Sequence, residues 1–159
     1  AAMQVRIIDF PKTKVAVLEH RGPPQLEYET VRRLVQWRQQ NGLRPDGHRS
    51  YGVHYTDPRT VAPQEHRVDF CISVDQDVPA NPQGVAAKFI PSGRCAVARH
   101  LGSRQHNSAA VYLYEVWFPA SGDQLRDFPI FFHYVNVGPQ VKDHEMVTDV
   151  YLPLERRST

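Results

Sequence analysis

The groups in this 159-residue chain that could do chemistry are eight histidines, two cysteines and a set of carboxylates. His20, His48, His54, His66, His100, His106, His133 and His144 are scattered, with no HExxH or similar close pair to seat a zinc ion, so they read as surface histidines and no metal site is assigned. Cys71 and Cys95 lack CxxC spacing and are too few for a disulfide framework, which fits a reducing, cytoplasmic setting. No Walker loop, GxGxxG or GxSxG occurs, so neither a nucleotide cofactor nor an elbow serine is expected. The bases that remain, Glu115, His133, His54 and Cys71, sit in no recognisable catalytic pattern. Asp69 and Asp149 could serve acid–base chemistry as a pair. Eighty residues apart in a chain that repeats at that interval, they read instead as one structural role played twice, such as accepting from a turn or pairing with Arg67. No catalytic residue is assigned.

Composition narrows the partners. Nineteen Lys and Arg stand against seventeen Asp and Glu, a net charge of +2, with both signs mixed along the chain, so no phosphate-neutralising stripe stands out and direct nucleic-acid binding is not expected. Hydrophobic residues at 41% and charged residues at 23% are globular proportions. No apolar run approaches the roughly 20 residues of a membrane span, and the start AAMQVRIIDF has neither the basic nor the apolar part of a secretory signal. The expectation is a cytoplasmic protein without a membrane partner.

Sliding the chain on itself by eighty residues reveals the elements that must carry these groups. Val5 falls on Val85, Pro11 on Pro91, Ala16-Val17 on Ala96-Val97, His20 on His100, Gly22 on Gly102, Val31 on Val111 and Trp37 on Trp117. Each copy opens with two β-prone runs around a turn, Pro11-Lys12-Thr13 or Pro91-Ser92-Gly93, read as a hairpin or bent strand. A helix follows. In the first copy Leu26, Glu27, Val31, Leu34, Val35 and Trp37 recur at mostly helical spacing until Asn41-Gly42; in the second, Ser103 is a possible cap, with Ala109, Tyr112, Leu113, Val116 and Trp117 as the apolar stripe until Pro119 and Gly122. Two more strands close each copy: SYGVHYT and RVDFCISV, then PIFFHYVNV and MVTDVYLPL.

The expected fold is therefore α+β, a single domain over 1–159 of two βαββ modules with antiparallel sheets and two main helices, paired about a pseudo-two-fold axis around a central cleft. Module one covers about 4–75, a linker about 76–83 and module two about 84–155. A groove where modules meet is a usual place for a small molecule. Aromatics from both halves could line it.

Three stretches give the chain a family likeness. Tyr51-Gly52-Val53-His54-Tyr55-Thr56-Asp57-Pro58 followed by Arg67-Val68-Asp69-Phe70-Cys71, then Trp117-Phe118-Pro119-Ala120-Ser121-Gly122, then Asp149-Val150-Tyr151-Leu152-Pro153-Leu154 together resemble the GyrI-like small-molecule-binding family, which also supplies effector-binding domains of AraC-type and MerR-type multidrug regulators. The likeness runs from about Val5 to Leu154. It implies an aromatic cleft and a buried glutamate, in a glutamate-x-tyrosine pattern, that attracts cationic drugs. The matching residues here are Phe132-His133-Tyr134, so the glutamate is replaced by a phenyl ring that favours neutral or aromatic guests. Glu115, at an apolar-looking helical position, is the candidate substitute carboxylate.

The sequence thus points to a non-catalytic, stand-alone binder of a small lipophilic or aromatic ligand, with Tyr51, Phe70, Tyr114, Glu115, Trp117, Phe132, Tyr134 and Tyr151 as candidate ligand-binding residues. The resemblance also implies two alternatives, a modulator of DNA gyrase acting by protein–protein contact and a hydrolase of strained cyclopropane-containing electrophiles.

Overall fold

The computed structural model describes residues 3–157 and contains eight strands, all antiparallel to their neighbours, and two main helical segments, an α+β fold. It divides into two compact units, the first Thr13–Ile90, the second the segment up to Lys12 together with everything from Pro91 onward.

In the first unit β2 (Thr13–Arg21), β3 (Ser50–His54), β4 (Arg67–Ser73) and β5 (Ala86–Ile90) make a sheet in the order β3-β4-β2-β5. The second unit orders β1 (Val5–Phe10), β6 (Gly93–Leu101), β7 (Phe131–Tyr134) and β8 (Val147–Pro153) as β1-β6-β8-β7. The repeat is thus exact to the residue at β2 and β6 and at β4 and β8. Of the hairpin or bent strand expected at each opening, the hairpin does not form. β1 pairs with β6 and β5 with β2, so each unit takes its outer strand from the other sequence copy. Pro11 and Pro91 explain why the chain leaves one ladder before it enters the next, since proline donates no ladder hydrogen bond.

One face of each sheet is covered by a helix. On α1 (Glu27–Gln40) the buried positions are Thr30, Leu34, Trp37 and Arg38, spaced four, three and one, and the core they join includes Ala16, Leu18, Val68, Phe70 and Ile72. Burying side chains of this size contributes about 1.5–3 kcal/mol each. Leu26, Val31 and Val35, expected on the apolar stripe, are instead exposed, because the stripe is turned toward Thr30 and Arg38. Arg38 is the reason. Its guanidinium donates to Leu43 O at 2.7 Å, to Ser50 Oγ at 3.1 Å and to His48 O, tying the helix end to the loop that leads into β3.

The second helix runs as α2 (Ser108–Tyr112), a wide turn at Leu113–Trp117 and α3 (Phe118–Ser121). Its cap is Asn107, whose side chain accepts from the N–H groups of Ala109 and Ala110, and not Ser103. In the wide turn Phe118 N–H reaches back five residues to Leu113 O. Pro119 lacks an N–H and crowds the carbonyl four residues earlier, which is relieved by such widening. Ala109 and Leu113 are buried, while Val116, expected inside, is exposed. Both helices end at a left-handed glycine, Gly42 with φ 65° and Gly122 with φ 73°.

Three of the histidines expected at the surface are buried staples. In the first unit His20 Nε2–H donates to Pro23 O at 3.0 Å and Nδ1 meets Thr30 Oγ1 at 2.8 Å; in the second His100 contacts Ser103 O at 2.8 Å and Ser108 Oγ at 2.9 Å, the same device eighty residues on. His66 bonds Glu27 at 2.7 Å and Thr56 at 2.9 Å.

Thr148 on β8 is fully buried, and its Oγ1 has no hydrogen-bond partner among the described residues. A buried hydroxyl without a partner destabilises, and a methyl of the same shape does not. Thr148→Val is expected to raise stability by about 1 kcal/mol, a rise in melting midpoint of roughly 2–4 °C, measured by differential scanning calorimetry.

Candidate functional site

Residues directly opposite in an antiparallel pair share a face, so the register decides which candidate side chains can meet. In the second unit Phe131 lies opposite Tyr151, and their rings stack with centroids 4.9 Å apart and planes 3° from parallel. Phe10 of β1 meets both edge-on, at 4.9 and 5.3 Å, and Phe128 meets Phe131 at 6.0 Å. Phe131 is fully buried and Tyr151 half-buried. Four rings therefore occupy the face away from the helix.

Phe132 lies opposite Val150 and is packed, half-buried, on the helix-side core with Trp117 and Phe118. The strand alternation separates it from Tyr151. Tyr134 shares its side of the sheet; its ring stands 6.4 Å from Phe132 at 90°, with the Arg104 guanidinium 4.7 Å above it. On the helix, Trp117 faces the core, while Tyr114 and Glu115 are exposed.

In the first unit Phe70 belongs to the helix-side core and is buried, whereas Tyr51 lies opposite Cys71 on the other face. Tyr51 OH accepts from Arg49 Nε at 2.7 Å, and burial pushes its hydroxyl upward. The eight nominated residues thus fall into separate groups. Tyr51 and Tyr151 stand on ring-bearing faces, Phe70, Trp117, Phe132 and Tyr134 on helix-covered ones, and Tyr114 and Glu115 on an outer helix surface. Phe10, Phe128 and Phe131 were not singled out by the sequence reading. The repeat held the signal for one of them, since Phe131 is the eighty-residue counterpart of Tyr51.

The paired aspartates also differ from expectation. Asp149 takes both oxygens to its cross-strand neighbour Arg99, at 2.8 and 3.0 Å. Asp69 is not paired with Arg67, which instead bonds Glu19 at 3.0 Å and lies 3.8 Å over the Tyr55 ring. Asp69 Oδ2 accepts from Tyr55 OH at 3.2 Å and from Lys88 Nζ at 3.1 Å. Burial and the Asp69 charge push Tyr55 up to about 12. Asp123, the third buried aspartate, is gripped by Arg157 and Arg94, and the two guanidiniums hold its carboxyl below the usual range. Burial, with the nearby His66, pushes His54 down to about 4, so at neutral pH it carries no charge.

The chain resembles known proteins over nearly its whole length. It is 42% identical over 154 residues, 96% of each sequence, to a protein of Escherichia coli K12 named probable transcriptional regulator YgiV. It is 25% identical over 158 residues to a DNA gyrase inhibitor of Erwinia billingiae, covering 97% of this chain and 99% of that one. Its fold matches the EcmrR C-terminal domain with a TM-score of 0.72 at 17% identity, over 98% of this chain and 99% of the other. A duplicated strand pattern of this kind, with a likeness that spans residues 3–155, makes the chain a member of the GyrI-like family, matching its GyrI-like small molecule binding domain.

Proposed function

We propose that this small-molecule-binding domain takes a neutral lipophilic or aromatic ligand and that Phe132, standing where the family resemblance places a glutamate, removes the preference for cations. The observation that carries this reading is the state of the charges in the second unit. Its two buried aspartates, Asp123 and Asp149, are both held by guanidiniums, and the exposed Glu115 is no substitute for a buried anion. Transferring a cation to a surface without a free counter-charge costs its hydration. Flat rings lose little conformational entropy when they bind, which suits Tyr151, Tyr134 and Trp117 to neutral planar guests. Tyr51, Phe70, Tyr114 and Phe132 complete the proposed ligand-binding set, with Glu115 at its edge.

Tryptophan fluorescence, titrated with a neutral naphthalene derivative and with tetraphenylphosphonium, tests the reading. The neutral aromatic is expected to bind at least about tenfold more tightly, and Phe132→Glu to reverse that order. Tighter binding of the cation by the unaltered chain would overturn it.

The name of the Erwinia relative supports a second reading, inhibition of DNA gyrase by direct contact. A supercoiling assay with purified gyrase and the unliganded chain is expected to show none, and inhibition would put this reading first. For the hydrolase alternative, burial and the Asp69 charge push the Cys71 thiol up, and burial pushes Cys95 up to about 11. Neither is a thiolate near neutral pH. Ellman's reagent at about pH 8 is expected to leave both thiols unmodified in the folded chain and to titrate both after unfolding.

A further inference from the structure

The two units meet one electrostatic demand in two ways. Asp69 and Asp149 occupy the same place on β4 and β8, each buried, at 2% and 5% exposure. Opposite Asp149 stands Arg99, and its guanidinium satisfies both carboxylate oxygens. Opposite Asp69 the residue is Glu19, a like charge. The neutralising cation has to come from Lys88 on β5, on the far side of β2, and it reaches only Oδ2, the oxygen that also accepts from Tyr55. Asp69 Oδ1 is buried and has no hydrogen-bond partner among the described residues.

A buried carboxylate oxygen without a donor is costly, and a fold that pairs the equivalent residue completely leaves this one open at a single position. The surroundings are those of an aromatic site. Cys71 and Tyr51 lie opposite one another on the same face, Tyr55 stands beside the carboxylate, and of the two groups that hold Oδ2 the Lys88 side chain is 45% exposed and Tyr55 half-buried. Because Lys88 already balances the charge of Asp69, the free oxygen selects for a hydrogen-bond donor and not for positive charge as such. We infer that Oδ1 of Asp69 anchors an aromatic ligand through an O–H or N–H donor, so that the ligand class is phenol-like or anilide-like. This rests on the reading above that the chain binds neutral aromatic molecules.

The test compares β-naphthol with its methyl ether by equilibrium dialysis at neutral pH. The unaltered chain is expected to hold β-naphthol about tenfold more tightly, the difference made by one donor to an otherwise unsatisfied buried acceptor. In Asp69→Asn the amide oxygen must face the two donors Tyr55 and Lys88, which turns the amide nitrogen to the place of Oδ1. The site then offers a donor where it had an acceptor, both probes carry an oxygen that can accept it, and the preference is expected to fall to near unity. Thr148→Val, which removes a different buried unpartnered hydroxyl, is expected to keep the tenfold preference. Equal binding of the two probes by the unaltered chain overturns the assignment of Asp69 alone and needs no variant to fold. A preference that survives in folded Asp69→Asn overturns it as well. Binding of neither probe overturns the proposed function together with it.

Discussion

A strand buried on both faces has no inexpensive place for a charge, and this chain puts one there twice, Asp69 on β4 and Asp149 on β8. Val68, Phe70 and Ile72 on one strand, and Val150 and Leu152 on the other, turn inward to the helix. Period two then sends Asp69, between Val68 and Phe70, and Asp149, next to Val150, to the opposite face, still buried. Each must find a cation within reach of its own sheet or the strand cannot hold its register, because a one-residue slip would drive the carboxylate into the apolar core. The cations come from different strands, Arg99 on the neighbour β6 and Lys88 on the outer strand β5. The polar pattern that distinguishes one unit from the other follows from that choice.

The exchanged outer strands belong to the same constraint. Lys88 can serve Asp69 only because β5 is laid along β2, although in sequence it opens the second copy. The symmetrical exchange puts Phe10 of β1 against the Phe131–Tyr151 stack. Neither sequence copy contains the whole of a four-stranded sheet, so the functional groups of each unit are assembled from residues far apart in the chain.

Much of the fold could be read from residue types alone. The eighty-residue repeat places β2 and β6, β4 and β8, and the left-handed glycines Gly42 and Gly122 at matching positions, since each depends on local propensity that duplication copies. Pairing between strands depends on tertiary packing, which is why the exchange of β1 and β5 was not legible and local signals left a hairpin and a bent strand both open. Helix phase failed for a related reason. Arg38 reads as a surface residue, and only the three acceptors that surround its guanidinium justify burying it, which turns Val31 and Val35 outward.

The candidate site was harder to read because two phenylalanines are adjacent. In PIFFHYVNV either Phe131 or Phe132 can be the ring that faces Tyr151, and alternation alone does not choose between them. Pairing with β8 chooses Phe131, leaving Phe132 against the helix-side core. Asp69 illustrates the opposite case. Its type and its repeat partner were visible, yet its state depends on Glu19 standing where the other unit has Arg99. Duplication first makes two sites alike, and a single charge reversal on the neighbouring strand then leaves one carboxylate closed by its own chain and the other with an oxygen to offer.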